Sequence, residues 1–283
     1  MKASVTAVIV NWNKLDLLKK CLHALQSATV TPEHIVVVDN HSSDGSVDFI
    51  TGLSGINSIL LNKNYGGCFA YDAGIKEAIT FKTDYIWLMD EDTEVNDQCL
   101  TQLINAFENH HDTGTEKPLE IVSPLVVDVN GNPNMNNASE TDNNNRLITC
   151  TFVGTLHKRE VFERYRLPNP ELFSFFDDVI FYLNVFRNGV EGLYVKEAQI
   201  LHHSKGANIN SHITRLDDSR SRLYLRNYFI FLRFKYGFVG FFKRLLRDSF
   251  KLHRRQCKAV GQKPNSLEVL IIGVRSIFFR VWD

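Results

Sequence analysis

The sequence predicts an α/β protein with a mostly parallel, doubly wound sheet, and three observations carry that prediction. Continuous β-branched runs, Val5 to Val10 and Ile35 to Val38, end abruptly on polar residues, as buried parallel strands do. Between them Leu15, Leu18, Cys21, Leu22 and Leu25 recur at helical spacing, which gives a βαβ unit with a right-handed crossover. The alternation then repeats along the chain.

In order, Ser58 to Leu61 reads as a third strand, Gly67 to Phe81 as a helix and Tyr85 to Met89 as a fourth strand. Asp128 to Arg146 is Asn-rich, carries Gly131 and Pro133, and has no hydrophobic period, so it reads as a loop. A strand over Leu147 to Val153, a helix starting near Lys158, a helix over Asp177 to Asn188 and a strand pair near Gly192 to His202 complete the main domain. The polar residues gather at strand ends: Asn11 and Asn13, Asp39 and Asn40, Asn62 and Asn64, then Asp90 to Asp92. Asn, Asp and Gly also form turns, but four such ends on one edge point to a ligand site, because open sheets bind at their carboxyl edge.

At 283 residues the chain is long enough for one large α/β domain plus an appended segment. Hydrophobic residues at 44% and charged residues at 23% exclude disordered, collagen-like and coiled-coil classes. The formal charge of zero hides an asymmetry. Residues 1–212 hold 16 Lys and Arg against 27 Asp and Glu, a net of −11, and residues 213–283 carry the balancing +11. This divides the chain into a catalytic-type domain, 1–212, and a basic helical tail, 213–283. Five scattered cysteines without a CxxC pair fit a reducing, cytoplasmic setting. The apolar start runs into Asn11-Trp12-Asn13 and reads as a first strand, not a leader peptide. No apolar stretch reaches the ~18 residues a membrane span needs.

The chemistry-bearing clusters each have a plain alternative. Asp90-Glu91-Asp92 closes a buried strand, and clustered carboxylates stay ionised when they share a cation. Hard oxygen ligands beside a diphosphate suit Mg²⁺ or Mn²⁺, while the same acids would also favour a helix starting near Asn96. Asp39 is placed to accept from a base N–H, or to open a Ser/Asp/Gly turn capped by Ser46. Asn64, Gly66 and Gly67 offer bare backbone beside a helix start, which suits an anionic or ribose-bearing ligand. Asp177 and Asp178 follow two Phe residues. Apolar neighbours and a second carboxylate raise a pKa toward general-base strength, which assigns Asp177 to the helix cap and Asp178 to chemistry. His202 shares a strand face with Ala198 and Ile200, His203 takes the other, and either imidazole would complete a metal site with the acids.

Taken together, VTAVIVNWNKLDLLKKCL, VVVDNHSSDGS, NYGGCFAYDAGI, YIWLMDEDTEV, FFDDVIFYLNVFRNG and ILHHSKG with LYLRNYF resemble the family 2 glycosyltransferases of the GT-A fold, inverting enzymes that use nucleotide-diphosphate sugars. The resemblance covers Val5 to about Tyr236. It implies that Asp39 contacts a uracil or thymine, and that Asn11, Asn64, Gly66, Gly67 and Asp72 belong to the donor pocket. Asp90 and Asp92 become metal-site acids, with Glu91 beside the diphosphate. Asp178 falls on the catalytic base and His202 on the late metal- or diphosphate-binding histidine. Family members often carry Asn at the position of Asp72 and an acid at that of Ile180. The motifs are closest to galactofuranosyl and rhamnosyl transferases, which puts UDP-galactofuranose first among donors and a bacterial surface glycan or lipid-linked acceptor as partner.

The tail interleaves Arg220, Arg222, Arg226, Arg233, Lys235, Lys243, Arg244, Arg247, Lys251, Arg254 and Arg255 with aromatic residues. That pattern describes an interfacial helix on anionic lipid, at the cytoplasmic face of the inner membrane, or helices packed on the main domain or on a second copy of the chain. No nucleic-acid motif accompanies the charge. Two other classes compete. A nucleotidyltransferase needs a basic Gly-rich loop after the first strand, where Asn11-Trp12-Asn13 stands instead, and a non-catalytic scaffold would have no use for Asp90, Asp92, Asp178 and His202.

Overall fold

Strand β1 (Val5–Asn11) lies inside an eight-stranded sheet, flanked in parallel by β2 (His34–Asp39) and β4 (Tyr85–Asp90). The computed structural model describes residues 3–110, 118–134, 139–167, 169–203, 219–260 and 266–281. Helix α1 (Leu15–Ser27) buries Leu18, Cys21, Leu22 and Leu25, the stripe expected from the spacing. Short α2 (Ser46–Thr51) leads to β3 (Asn57–Leu60), α3 (Gly67–Thr80) returns the chain to β4, and β5 (Thr93–Val95) precedes α4 (Cys99–Glu108). Strand β6 (Leu119–Val127) follows, then the two-residue β7 (Glu140–Thr141), β8 (Leu147–Thr149) and β9 (Leu156–Lys158). Helices α5 (Arg159–Arg164) and α6 (Asp177–Arg187), strand β10 (Glu191–His202), and helices α7 (Ser219–Val260) and α8 (Ser266–Ser276) complete the order.

The sheet runs β3-β2-β1-β4-β9-β6-β10-β5, with β9 and β5 antiparallel to their neighbours and the other pairs parallel. Its two faces carry separate cores. Helices α1 and α4 cover Ala7, Ile9, Trp87 and Met89, while α3, α5 and α6 cover Val8, Val36, Ile86 and Leu88. This mostly parallel sheet, sandwiched by helices, is the architecture the alternation predicts.

Several expectations need correction. β6, a central strand, was not foreseen, because Glu120, Ser123 and Pro124 interrupt the apolar run over Leu119 to Val127. The strand expected over Leu147 to Val153 stops at Thr149, the last residue to pair with the two-residue β7, and the chain then turns through Gly154 (φ +73°), where an added Cβ would lie 2.0 Å from Ile200 Cδ1. In place of a strand pair near Gly192 to His202 there is one long strand, β10, kinked by a register shift between Val195 and Gln199. Helix α2 is capped by Gly45, not Ser46, and Phe176 rather than Asp177 occupies the cap of α6. The helix expected near Asn96 begins at Cys99, after β5.

The tail's boundary after His212 lies outside the described residues, as do the side chains of Lys251, Arg254 and Arg255. The N-terminal half of α7 packs on the main domain: Tyr224, Leu225, Phe229 and Leu232 share a core with Phe175 and Phe176, and Ile230 joins Leu172 and Ile180. Gly237 (φ 66°, ψ −180°) breaks α7 into two helices. Beyond that break Phe238 (59%) and Val239 (73%) are exposed, with Phe242 beside them. No helix among the described residues is long and apolar enough to cross a membrane.

Candidate active site

Parallel register sets the site, because it brings the carboxyl ends of neighbouring strands level. Asn11 pairs with Asp39 across β1 and β2 and Val10 with Asp90 across β1 and β4, while antiparallel pairing sets His202 of β10 against Thr93 of β5. Residues distant in the chain therefore converge on one sheet edge.

Asp90, Asp92 and His202 form its centre. One ligand atom from each lies within 4.8 Å of the others. His202 Nε2 stands 2.9 Å from Asp92 Oδ1 and 3.8 Å from Asp90 Oδ2. Asp92 Oδ1 is buried, with the His202 ring as its close neighbour. Two buried or half-buried carboxylates and an imidazole that converge in this way offer oxygen and nitrogen donors that fit a hard divalent cation such as Mg²⁺ or Mn²⁺. Two further residues shape the centre. Tyr71 Oη donates to Asp90 Oδ1 at 2.6 Å, and the Asn134 amide meets His202 Nδ1 at 3.3 Å, orienting the ring.

Electrostatics separate the acids. Burial pushes the Asp90 carboxyl up, and neighbouring Asp92 adds to the effect. Burial also opposes ionisation of Asp92, but His202 and Lys14 outweigh it and hold Asp92 well below the usual carboxylate range. Burial pushes Glu91 up to about 8 despite Lys14 beside it. Lys14 Nζ lies 3.1 Å from Glu91 Oε1 and 2.8 Å from Asp92 Oδ2. Burial would lower His202, yet Asp92 and Asp90 raise it above an ordinary histidine. His203 is turned away and pairs with Glu94.

The expected donor pocket divides in two. Asp39 is fully buried, its Oδ2 accepting from Asn11 Nδ2 (2.7 Å) and its Oδ1 from Ser42 N (2.8 Å), so it ties β1 to β2 beneath the edge. Asn64 Oδ1 accepts from Asn40 Nδ2 (3.0 Å) and Gly66 N (2.9 Å), which fixes the loop entering α3. Gly66 (φ 87°, ψ 165°) abuts Phe173, where an added Cβ would fall 2.1 Å from the carbonyl oxygen. Gly67 begins α3 with open space over its Cα. Asp72, one turn on, is paired with Lys76 at 2.6 Å.

Asp177 and Asp178 open α6. Burial raises Asp177 to about 6, with Asp90 contributing. Burial and then Asp177 lift Asp178 well above the carboxylate range, and Asp90 adds to it. Both carboxyls thus lie within electrostatic reach of Asp90. Backbone strain precedes them: Phe173 (φ 63°), Phe175 (φ 71°) and Phe176 (φ 65°) occupy left-handed space that bulky residues avoid, on the order of 1–3 kcal/mol each.

Residues 6–116 match the sequence family described as glycosyl transferase family 2. The chain carries a family 2 glycosyltransferase domain. The galactofuranosyltransferase GlfT1 of Mycobacterium tuberculosis is 27% identical over 222 residues, covering 71% of each chain. The dTDP-rhamnosyl transferase RfbF of Shigella flexneri is 22% identical over 216 residues, 71% of this chain and 70% of that one. Among solved structures, the crystal structure of GalNAc-T7 with UDP, GalNAc and Mn²⁺ superposes with a TM-score of 0.62 at 14% identity. It covers 97% of this chain, which spans 54% of the GalNAc-T7 chain. The fold is that of the GT-A glycosyltransferases.

Among the residues singled out from sequence, the structure brings Asp90, Asp92 and His202 together with Asp177 and Asp178 within electrostatic reach of Asp90, while it turns His203 to Glu94 and commits Asp72 to Lys76. Lys14, Tyr71 and Asn134 were not foreseen. A single lysine before a helix and a single tyrosine within one carry no chemical signal of their own, and Asn134 lies in the loop that has no hydrophobic period. Only the chain's return beside β6, with Asn134 N donating to Val126 O at 2.9 Å, brings that loop to the site.

Proposed function

We propose that this glycosyltransferase is inverting and divalent-metal-dependent, and moves a hexose, UDP-galactofuranose being the first donor, to a glycan or lipid-linked acceptor of a bacterial surface polysaccharide. The observation that carries it is the convergence of Asp90, Asp92 and His202, with the buried Asp178 within electrostatic reach of Asp90. Asp90, Asp92 and His202 would hold the cation, which when bound would supply charge to offset the departing diphosphate. Asp178 removes the proton from the acceptor hydroxyl as that oxygen attacks the anomeric carbon from the face opposite the leaving group. Asn11, Asp39, Asn64, Gly66 and Gly67 frame the nucleotide end, and Glu91 lies beside the diphosphate.

Similarity to GlfT1 supports the galactofuranosyl reading, and the match to RfbF supports a dTDP-rhamnosyl alternative on the same site. A screen of nucleotide release from UDP-, dTDP- and GDP-sugars with Mn²⁺ or Mg²⁺ separates them. Asp178→Asn should abolish transfer and keep donor binding. Normal turnover by that variant would remove Asp178 from the role. The exposed Phe238, Val239 and Phe242, beside Lys243 and Arg247, support peripheral binding of the tail to the cytoplasmic face of an anionic membrane.

A further inference from the structure

The strained loop before Asp178 needs something to hold it, and the chain supplies it from the tail. At Phe173 (φ 63°, ψ −59°) the backbone makes a γ-turn, with Ser174 N donating to Leu172 O at 2.7 Å. Phe175 and Phe176 follow in left-handed conformation, and α6 starts on the next residue. Free of restraint, three aromatic residues would leave this region of backbone space.

Asn227, fully buried on α7, faces the loop. Its Nδ2 lies 2.7 Å from Leu172 O, 2.7 Å from Ser174 O and 3.2 Å from Phe175 O. All three neighbours are carbonyl oxygens, so the amide must present its NH₂ group, since its oxygen could accept from none of them. The other end of the amide is held in turn, with Arg226 Nε donating to Asn227 Oδ1 at 2.9 Å. Arg226 Nη2 also donates to Glu171 O at 2.5 Å. On the same face of α7, Phe231 stacks on Phe176 with centroids 5.2 Å apart. The opposite flank of the loop meets α3, whose Cys68 N donates to Phe173 O at 3.3 Å.

We propose that Asn227 is a positioning residue for the transfer reaction: by binding the carbonyls of Leu172, Ser174 and Phe175 it holds the loop in the strained form that aims Asp178 at the Asp90, Asp92 and His202 centre. This rests on the reading of Asp178 as the base. It gives the tail a role in catalysis apart from any lipid surface, since the residue that sets the base belongs to the segment that composition alone divides from the catalytic domain.

The test uses the full chain with Asn227→Leu and Asn227→Asp, which keep the volume and remove the NH₂ donors. A base displaced by an ångström costs about 100-fold in rate, so kcat should fall by about that factor. The donor KM and the affinity for UDP should stay within about threefold, because neither the nucleotide end nor the metal-site acids touch Asn227. The acidic limb of the kcat pH profile should also move, because it reports the base. A folded variant with wild-type kcat and pH profile overturns the proposal, and so does a fall of kcat matched by a rise of donor KM and a loss of UDP affinity, which would mark a general structural role. Should neither variant fold, hydrogen exchange on the wild type decides. The Ser174 amide should open together with α7 residues 224–230, and a Ser174 amide exchanging as an open loop while α7 stays protected overturns the proposal. Turnover by Asp178→Asn would count against the base itself, whereas a dead Asp178→Asn with a normal Asn227→Leu counts against the positioning role alone.

Discussion

Gly66→Ala should damage this protein far more than Gly67→Ala, although the two glycines are adjacent. Gly66 has φ 87° and ψ 165°, a region essentially reserved for glycine, and placing a side chain there costs about 1–3 kcal/mol. The new Cβ would also lie 2.1 Å from Phe173 O and 2.6 Å from Phe173 Cγ, so backbone must move, and overpacking of this kind costs about 1–3 kcal/mol more. A total near 3 kcal/mol lowers the melting temperature by roughly 6–12 °C in a chain of this size. Gly67 has open space over its Cα and sits at the first helical position, where Ala gains up to about 1 kcal/mol. Differential scanning calorimetry of both variants, with kcat measured alongside, tests the reasoning. Because Phe173 leads into the Asp177–Asp178 loop, kcat of Gly66→Ala should fall more than its UDP affinity. Equal melting of the two variants and the wild type would refute the steric argument.

Two further outcomes follow from the geometry. Asp92→Asn and His202→Ala should each weaken Mn²⁺ binding by 10-fold or more, roughly the loss expected for a ligand or its orienting partner, whereas His203→Ala, whose ring is committed to Glu94, should leave it near wild type. Calorimetric titration with Mn²⁺ reads this directly, and equal losses for His202 and His203 would dissolve the assignment. The wild type should float with anionic vesicles, and Phe238→Ser with Phe242→Ser should float less. If both proteins stay with the dense fraction, the tail does not bind lipid by this face.

The sequence by itself determined the α/β class and the edge on which the site lies. Buried parallel strands must be apolar along their length and polar where they emerge, so Asn11, Asp39 and Asp90 announced the carboxyl edge before any coordinates. The choice of His202 over His203 was half legible: period-2 alternation put His202 on the face of Ala198 and Ile200, but only the pairing of β10 with β5 showed that this face meets Asp92. Composition left open whether the tail packs on the main domain, because charge is a property of surfaces and says nothing of the apolar face that packs. The tertiary structure decided that Tyr224, Asn227 and Phe231 support the loop before Asp178. It also decided that Lys14, Tyr71 and Asn134 surround the acids. These contacts join residues 19 to 78 positions apart by a few hydrogen bonds and ring contacts, which leave no period in the sequence to read.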